Sequence, residues 1–456
     1  MADDLMQMDE EELDAPRVAA ILEAISAQDA ARISELLEPL HAADIADVLE
    51  QISSADRGTL LRLWSGEIDG EILSEIDEAI REEVIDALPD SVVAEAMREL
   101  DTDDVVDILE DLDAEGQGKI LNALEMIDRV AVEQAMSLPE DSAGRLMQRE
   151  VVVAPEHWTV GEAIDFLRAA HSLPDQFYHV ILIDPRMKPV GYVTLGRVLS
   201  ARRDVALRDI AEDSFRTVEA TDPQGDVAYM FNQYHLISCP VVDGFGRLVG
   251  VITIDDAMNV LDEEHEEDML LLAGVGEEAS ISDGAWETAK QRLPWLVINL
   301  FTASLSALVI TQFEATIVAV VALAALMPIV ASTGGIAGTQ SLTVAVRALA
   351  TRDLTQANAR RVVRRELGAG VLNGLGLALI LGLAGGVMFW DARLGLVLAI
   401  AMIVNQVVAA LGGVLVPLTL ERFGLDPALA SGTFVTTLTD VMGFFAFLGL
   451  ATVMLL

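Results

Sequence analysis

The sequence predicts a multidomain α and α/β membrane protein: an N-terminal acidic helical superhelix, a tandem α/β pair, a connecting helix and a five-helix transmembrane domain. Three observations predict it. Charge and hydropathy are segregated, since 73 acidic residues against 29 basic ones give a net charge of −44 while mean hydropathy is +0.41. From Leu293 onward seven acids and eight bases nearly cancel, which leaves the first 292 residues at −45. Five apolar runs follow Arg292, each of roughly 20 residues or more, the length needed to cross a bilayer. The acidic part also carries two internal duplications, one with the period of a helix and one with the period of strands. The chain is therefore divided at 1–140 (acidic helical repeat), 141–210 and 211–261 (α/β pair), 262–292 (acidic connector) and 293–456 (transmembrane).

In the first segment, the run from Ala43 to Ile52 recurs sixty residues later, from Asp103 to Leu112. Apolar residues at 45, 48, 49 and 52, and again at 105, 108, 109 and 112, define one buried helix face in each copy. The other face is carboxylate-rich. Asp103 and Asp107 lie one turn apart, which suits either a shared divalent ion or a merely solvated acidic face.

Between Met147 and Leu261 the pattern changes to alternating strands and helices. Val180-Ile181-Leu182-Ile183-Asp184 with Val190-Gly191-Tyr192-Val193-Thr194 corresponds to Cys239-Pro240-Val241-Val242-Asp243 with Val249-Gly250-Val251-Ile252-Thr253, at an offset of 59. Each half reads as strand, turn, strand, helix. The tandem resembles a pair of cystathionine-β-synthase-type (CBS) domains. That resemblance implies an adenine-nucleotide contact at Thr253 and Asp256, from the Thr-x-x-Asp that ends the second half; the first half has Thr194-Leu195-Gly196-Arg197 and lacks the Asp.

The connector opens with Asp262-Glu263-Glu264-His265-Glu266-Glu267-Asp268. Carboxylates favour a helix amino terminus, but six in seven positions exceed what a cap needs. Neutralisation by divalent cations would set how closely this helix approaches the transmembrane domain.

The five spans are placed near Leu293–Phe313, Ala315–Val346, Leu367–Phe389, Leu394–Leu420 and Pro427–Leu456. The second is too long for one straight helix, and a break is expected at Pro328 and through Thr333–Gln340, where irregular backbone would line a wet cavity; a kinked helix packed through small residues is the alternative. Six of the eight arginines lie between the second and third spans, from Arg347 to Arg365. Positive-inside bias puts that loop, and hence the amino terminus, in the cytoplasm, and the carboxyl terminus outside. In the fifth span Asp440 sits in an apolar stretch, and an intramembrane carboxylate is costly unless water, a partner or an ion meets it. Thr433, Thr436, Thr437, Asp440 and Gly443 share one face at helical spacing, a stripe of oxygens and small residues suited to a hydrated cation such as Mg²⁺. A proton-carrying or helix-pairing role for Asp440 is the alternative.

Other classes fall away. Cys239 is the one cysteine, which excludes an intrachain disulfide and multi-cysteine zinc motifs. A surface at −45 repels phosphates, so nucleic acid is excluded as a partner, while divalent cations are attracted. Met1–Asp14 is acidic and lacks the features of a signal peptide. No P-loop, H-E-x-x-H or G-x-S-x-G occurs, and no histidine follows His265, so no enzyme is expected.

In its order of segments the chain resembles the MgtE family of Mg²⁺ channels and transporters over nearly its full length. The resemblance rests on Arg292-Leu293-Pro294-Trp295-Leu296, Thr333-Gly334-Gly335 through Gly338-Thr339-Gln340, Arg347-Ala348-Leu349-Ala350-Thr351, and Asp426-Pro427-Ala428 through Thr439-Asp440-Val441. It implies a Mg²⁺-gated uptake channel in the cell (inner) membrane, a homodimer with its pore between second and fifth spans and its pore carboxylate at Asp440. Pro328, Gly335, Thr433, Thr436, Thr437 and Gly443 are the accompanying pore-lining residues. It also implies a cytosolic Mg²⁺ sensor at Asp103, Asp107, Asp256, Glu264, Glu267 and Asp268, with Mg²⁺ and an adenine nucleotide as ligands. Departures occur at Asn259, Gly225 and His235 near the expected sensor, and at Ile336, where many members carry Asn. Two alternatives stay open: a proton-coupled divalent metal transporter or exporter, and a membrane nucleotide sensor that transports nothing.

Overall fold

The computed structural model describes residues 13–64, 68–170, 173–174, 177–212, 214–276, 279, 284–430 and 432–456. They fall into two compact units, Met1–Asp262 and Glu263–Leu456. Most of the acidic amino-terminal stretch, residues 1–12, lies outside the described residues.

The first unit begins with short helices from Ala15–Ala27 to Met126–Ala135. The duplicated segments form the helices Ala42–Gln51 and Thr102–Glu110. The apolar positions read from the repeat are buried in both copies, Val48, Leu49, Ile108 and Leu109 completely. Part of the acidity has a local cause. Asp14, Asp29, Asp69 and Asp113 are N-caps whose carboxylates accept from backbone N–H groups at 2.7–3.1 Å, which satisfies donors that a helix start otherwise leaves open. Two buried arginines 24 residues apart tie successive helices together. Arg57 donates to the Leu49 carbonyl and to Glu83, and Arg81 donates to the Ile76 carbonyl and to Asp107 and Asp111.

The α/β pair consists of two three-stranded sheets of identical build. In the first, β1 (Val153–Pro155) runs parallel to β2 (His179–Ile183), which pairs antiparallel with β3 (Pro189–Thr194). In the second, β4 (Val218–Glu219), β5 (Ser238–Val242) and β6 (Leu248–Thr253) repeat the arrangement. The offset of 59 holds at the level of register: His179 faces Thr194 as Ser238 faces Thr253, and each hairpin has its irregularity at the equivalent place. Each half thus has a short parallel strand and a helix, Val160–Ala169 or Gln224–Tyr234, ahead of the hairpin that the sequence revealed. Strands of two or three residues are too short to show alternation, so periodicity missed them.

Among the described residues the second unit contains five helices long and apolar enough to cross a membrane: Thr288–Gln312, Ala322–Ala350, Ala359–Met388, Ala392–Arg422 and Gly432–Leu455. The shortest rises about 36 Å, more than the ~30 Å hydrocarbon core. The fourth is central. Over its most apolar window 56% is buried, against 11–33% for the others.

The expected break in the second span is misplaced. A separate helix Glu314–Ala319 ends before Val320 and Val321, and Ala322–Ala350 then runs unbroken through Pro328 and the whole Thr333–Gln340 stretch. Its glycines serve close helix packing instead of irregular backbone. A Cβ at Gly338 would stand 2.6 Å from Val435, and one at Gly413 of the fourth span would stand 2.6 Å from the Gly338 carbonyl.

Candidate functional site

The membrane unit holds a cavity of about 770 Å³ on the second and fifth spans. Its polar lining comes from Ser332, Thr339, Gln340, Thr343, Thr436 and Asp440, and Gly335 lies in its wall, where a Cβ would meet Thr436 at 3.2 Å. Asp440 is the cavity's one carboxylate, and its Oδ1 is buried with no hydrogen-bond partner among the described residues. Most of the remaining lining is apolar, so a charge here is drawn to Asp440 and to the hydroxyl and amide oxygens beside it. A hard, hydrated cation suits such a donor set, because it keeps its waters and needs one or two carboxylates.

Of the residues expected to line the path, Gly335, Thr436 and Asp440 are brought together. Pro328, Thr433, Thr437 and Gly443 are off this wall. Pro328 is exposed on the second span, and Thr433 lies near the Gly274 turn. The Thr437 hydroxyl donates back to the Thr433 carbonyl at 2.7 Å, and Gly443 faces Asn405. At about 100° and 1.5 Å per residue, Thr437 is turned some 60–100° away from Asp440 and Thr436, whereas Thr433 and Gly443 lie within about 20° of that face and are set off from the cavity by about one turn along the axis. Thr339 and Gln340 fall in the stretch expected to line a wet cavity, whereas Ser332 and Thr343, eleven residues apart and so on one face of the second span, were missed.

The connecting helix Ile254–Ala273 ends against this unit's helices. Leu271 is buried in a cluster with Leu342, Val346, Ala428 and Val435, next to Trp295. Glu264 and Glu267 are exposed, while Asp268 is half-buried. Burial pushes the Asp268 carboxyl up to about 6, with Asp426 and Glu264 adding repulsion.

In the first unit, a carboxylate cluster joins the start of helix Thr102–Glu110 to the start of helix Ile254–Ala273. Asp103 is buried, and burial followed by the charge of Asp256 holds its carboxyl well above the usual range. Asp104 is raised to about 7 and Asp256 to about 6, each mainly by burial. Among the described residues no three His, Cys, Asp or Glu side chains converge as a metal-chelating group. Mutually repelling, partly desolvated oxygens of this kind are relieved by a nearby cation, and Mg²⁺ commonly keeps several waters and takes only one or two carboxylates. Asp107 is separate: exposed, and ion-paired with Arg81 at 2.9 Å.

At the position expected to contact nucleotide, Thr253 and Asp256 contact each other. The Thr253 hydroxyl donates to Asp256 Oδ2 at 2.5 Å and its N–H at 3.3 Å, closing the strand-to-helix corner. Asp256 is therefore shared between that corner and the carboxylate cluster.

Comparison with known proteins places these segments. Residues 327–450 match the family described as a divalent cation transporter, MgtE; residues 40–141 match the MgtE intracellular N domain; and residues 143–204 and 207–263 match the CBS domain. The magnesium transporter MgtE of Thermus thermophilus is 35% identical over 341 residues, 74% of this chain and 75% of that protein. The magnesium transporter MgtE of Bacillus subtilis is 30% identical over 332 residues, 73% and 74% of the two chains. A crystal structure of the cytosolic domain of the Mg²⁺ channel MgtE in complex with ATP is 28% identical, covers 53% of this chain and 99% of that one, and has a TM-score of 0.49.

Proposed function

This chain belongs to the MgtE family of magnesium transporters, and from that premise we propose that it is a Mg²⁺-gated channel admitting Mg²⁺ to the cytoplasm. The observation that carries the reading is Asp440, the one carboxylate of a cavity otherwise lined by hydroxyls, an amide and apolar groups. Mg²⁺ is the substrate. An inside-negative potential drives it inward at about 2.3 kcal/mol per charge per 100 mV, so no coupled ion is needed. One acidic centre attracts the hydrated ion, and weak hydroxyl donors around it let the ion leave again.

The arginine-rich segment from Arg347 to Arg365 supports a cytoplasmic amino terminus and an outward carboxyl terminus. On the cavity wall, Ile336 and Val344 are exposed apolar side chains, which supports completion of the path by a second copy. The gate is the acidic cytosolic part. Without Mg²⁺, Asp103, Asp104 and Asp256 repel one another, as do Asp268 and Asp426, and Mg²⁺ bound among such groups would hold the closed arrangement. Glu264 and Glu267, near Asp268 on the same helix, extend the site, and Asp107 contributes only if it leaves Arg81. The Thr253–Asp256 corner is the adenine-nucleotide contact.

The test is Mg²⁺-sensitive dye influx into vesicles holding the full chain, with Mg²⁺ on the cytosolic face varied up to about 10 mM, the range in which weak carboxylate sites fill. Influx that falls as that Mg²⁺ rises supports the reading. Influx in Asp440→Ala equal to wild type would remove Asp440 from the path, and influx that appears only with a pH gradient would replace the channel by a coupled transporter.

A further inference from the structure

The fourth span contributes no residue to the cavity lining, yet it carries the polar pair Asn405-Gln406 in the middle of an apolar 31-residue helix. Both are buried, Asn405 completely. Asn405 Nδ2 donates to the Val330 carbonyl of the second span at 2.8 Å, and Gln406 Nε2 donates to the Thr333 carbonyl at 3.2 Å. The first bond fixes which way the amide points, because the flipped amide would set oxygen against the Val330 carbonyl. Asn405 also fills the space left by two glycines. A Cβ at Gly334 of the second span would collide with its Nδ2, and a Cβ at Gly443 of the fifth span would stand 2.9 Å from its Oδ1.

That Oδ1 is buried and has no donor among the described residues, and Asp440 Oδ1 is in the same condition. The two are neighbours through Gly443. Residues three apart on a helix have Cβ positions about 5–6 Å apart, so the oxygen 2.9 Å from the Gly443 Cβ position lies no more than about 8–9 Å from the Asp440 Cβ, a gap that an ion spans with its water shell and a single water does not. With Asp440 ionised both atoms are acceptors only, hence neither can satisfy the other. What satisfies both is a group rich in donors, and the water shell of a hydrated divalent cation is such a group.

We infer that Asn405 is a further ion-path residue, whose Oδ1 acts with Asp440 Oδ1 to accept hydrogen bonds from the water shell of the permeating hydrated divalent cation. This rests on the reading of Asp440 as the path's carboxylate. Gly334 and Gly443 are then glycines because a side chain at either would push the amide away from that position.

The experiment uses the full chain, wild type and Asn405→Leu, which keeps similar volume and loses the oxygen. In vesicles loaded with a Mg²⁺-sensitive dye, the variant is expected to fold with an unchanged elution volume, to lose at least about tenfold in Mg²⁺ influx, the loss of one charge-assisted hydrogen bond, and to need more Mg²⁺ for half-saturation. Wild-type influx and half-saturation in the variant would overturn the inference. Where Asn405→Leu fails to fold, the pair Asn405→Ala with Gly334→Ala refills the space with a methyl group and is read in the same way. A second measurement does not depend on transport: melting temperatures of Asn405→Leu, Asp440→Asn and the double variant in detergent with Mg²⁺. Shifts that fall short of additivity by about 2 °C or more support a shared water shell, while additive shifts overturn it. Absence of Mg²⁺ influx in the wild type counts against the channel reading, and the melting cycle then decides the role of Asn405 by itself.

Discussion

The carboxylate cluster of the first unit and the membrane cavity of the second both bury acidic oxygens, in opposite ways. Asp103, Asp104 and Asp256 crowd together, so that burial and mutual repulsion raise the cost of their charge. Among the described lining residues of the cavity, Asp440 is the one carboxylate, beside hydroxyls, an amide and apolar side chains. A crowded site gains from each bound cation by relieving repulsion and is built to respond to occupancy; a solitary carboxylate holds an ion loosely enough to pass it on. Under the proposed reading the same side-chain chemistry would serve sensing in one place and permeation in the other, and what would separate the two is the number of carboxylates that share the site.

The largest test of this contrast is Asp440→Ala. Removing that charge leaves no other acid among the described lining residues, and Mg²⁺ influx is expected to fall on the order of 100-fold or more, as read by dye influx. Next is Gly413→Val. Its side chain would enter the space of the Gly338 carbonyl and Ser341, and overpacking there is expected to cost about 2 kcal/mol, seen as a lower melting temperature, with influx reduced because the second span is displaced.

Asp103→Asn tests the crowded site. With chelator present the variant is expected to melt a few degrees above wild type, since one repelling charge is gone. The gain in melting temperature on adding Mg²⁺ should shrink, and inhibition of influx by cytosolic Mg²⁺ should need a higher concentration. A variant with wild-type Mg²⁺ response would detach Asp103 from sensing.

The smallest effect belongs to His179, which lies in neither site. Burial lowers its imidazole pKa, and its Nδ1 meets Ser238 Oγ at 2.5 Å, pairing equivalent positions of the two α/β halves. The unfolded chain takes up a proton near pH 6.5 and the folded chain only lower, so below about 6.5 the unfolded state binds more protons. Stability from this group is complete above that pH and is lost as pH falls towards the folded value. The difference between the melting profiles of wild type and His179→Gln from pH 7.5 to 5.5 isolates it.

How much was legible follows from the range of the forces involved. The helical face at Ile45, Val48, Leu49 and Ile52 and its copy at Val105–Leu112 were readable, because burial of a helix face is written at intervals of three and four residues. The hairpins of the α/β pair were readable from their duplication, and Asp440 from the cost of charge in an apolar run. The strands Val153–Pro155 and Val218–Glu219 were not, being shorter than one cycle of any usable pattern. The break at Val320–Val321 was missed because proline and glycine were taken as the interruption, whereas a long apolar helix tolerates both when neighbouring helices pack against it.

The sequence by itself determined the separation of an acidic part from an apolar one, the two duplications, the five spans and the carboxylate at the centre of the candidate path, since each is a property of composition or of local period. Tertiary structure decided which oxygens meet. It set Thr436 beside Asp440 and left Thr433 and Thr437 elsewhere, gave Asp107 to Arg81 while turning Asp103 towards Asp256, and put Asn405 between Gly334 and Gly443. Those pairings join residues as far as 153 positions apart, as with Asp103 and Asp256, and depend on side-chain volume and on the rotation of each helix about its axis, quantities that only packing against a neighbour determines.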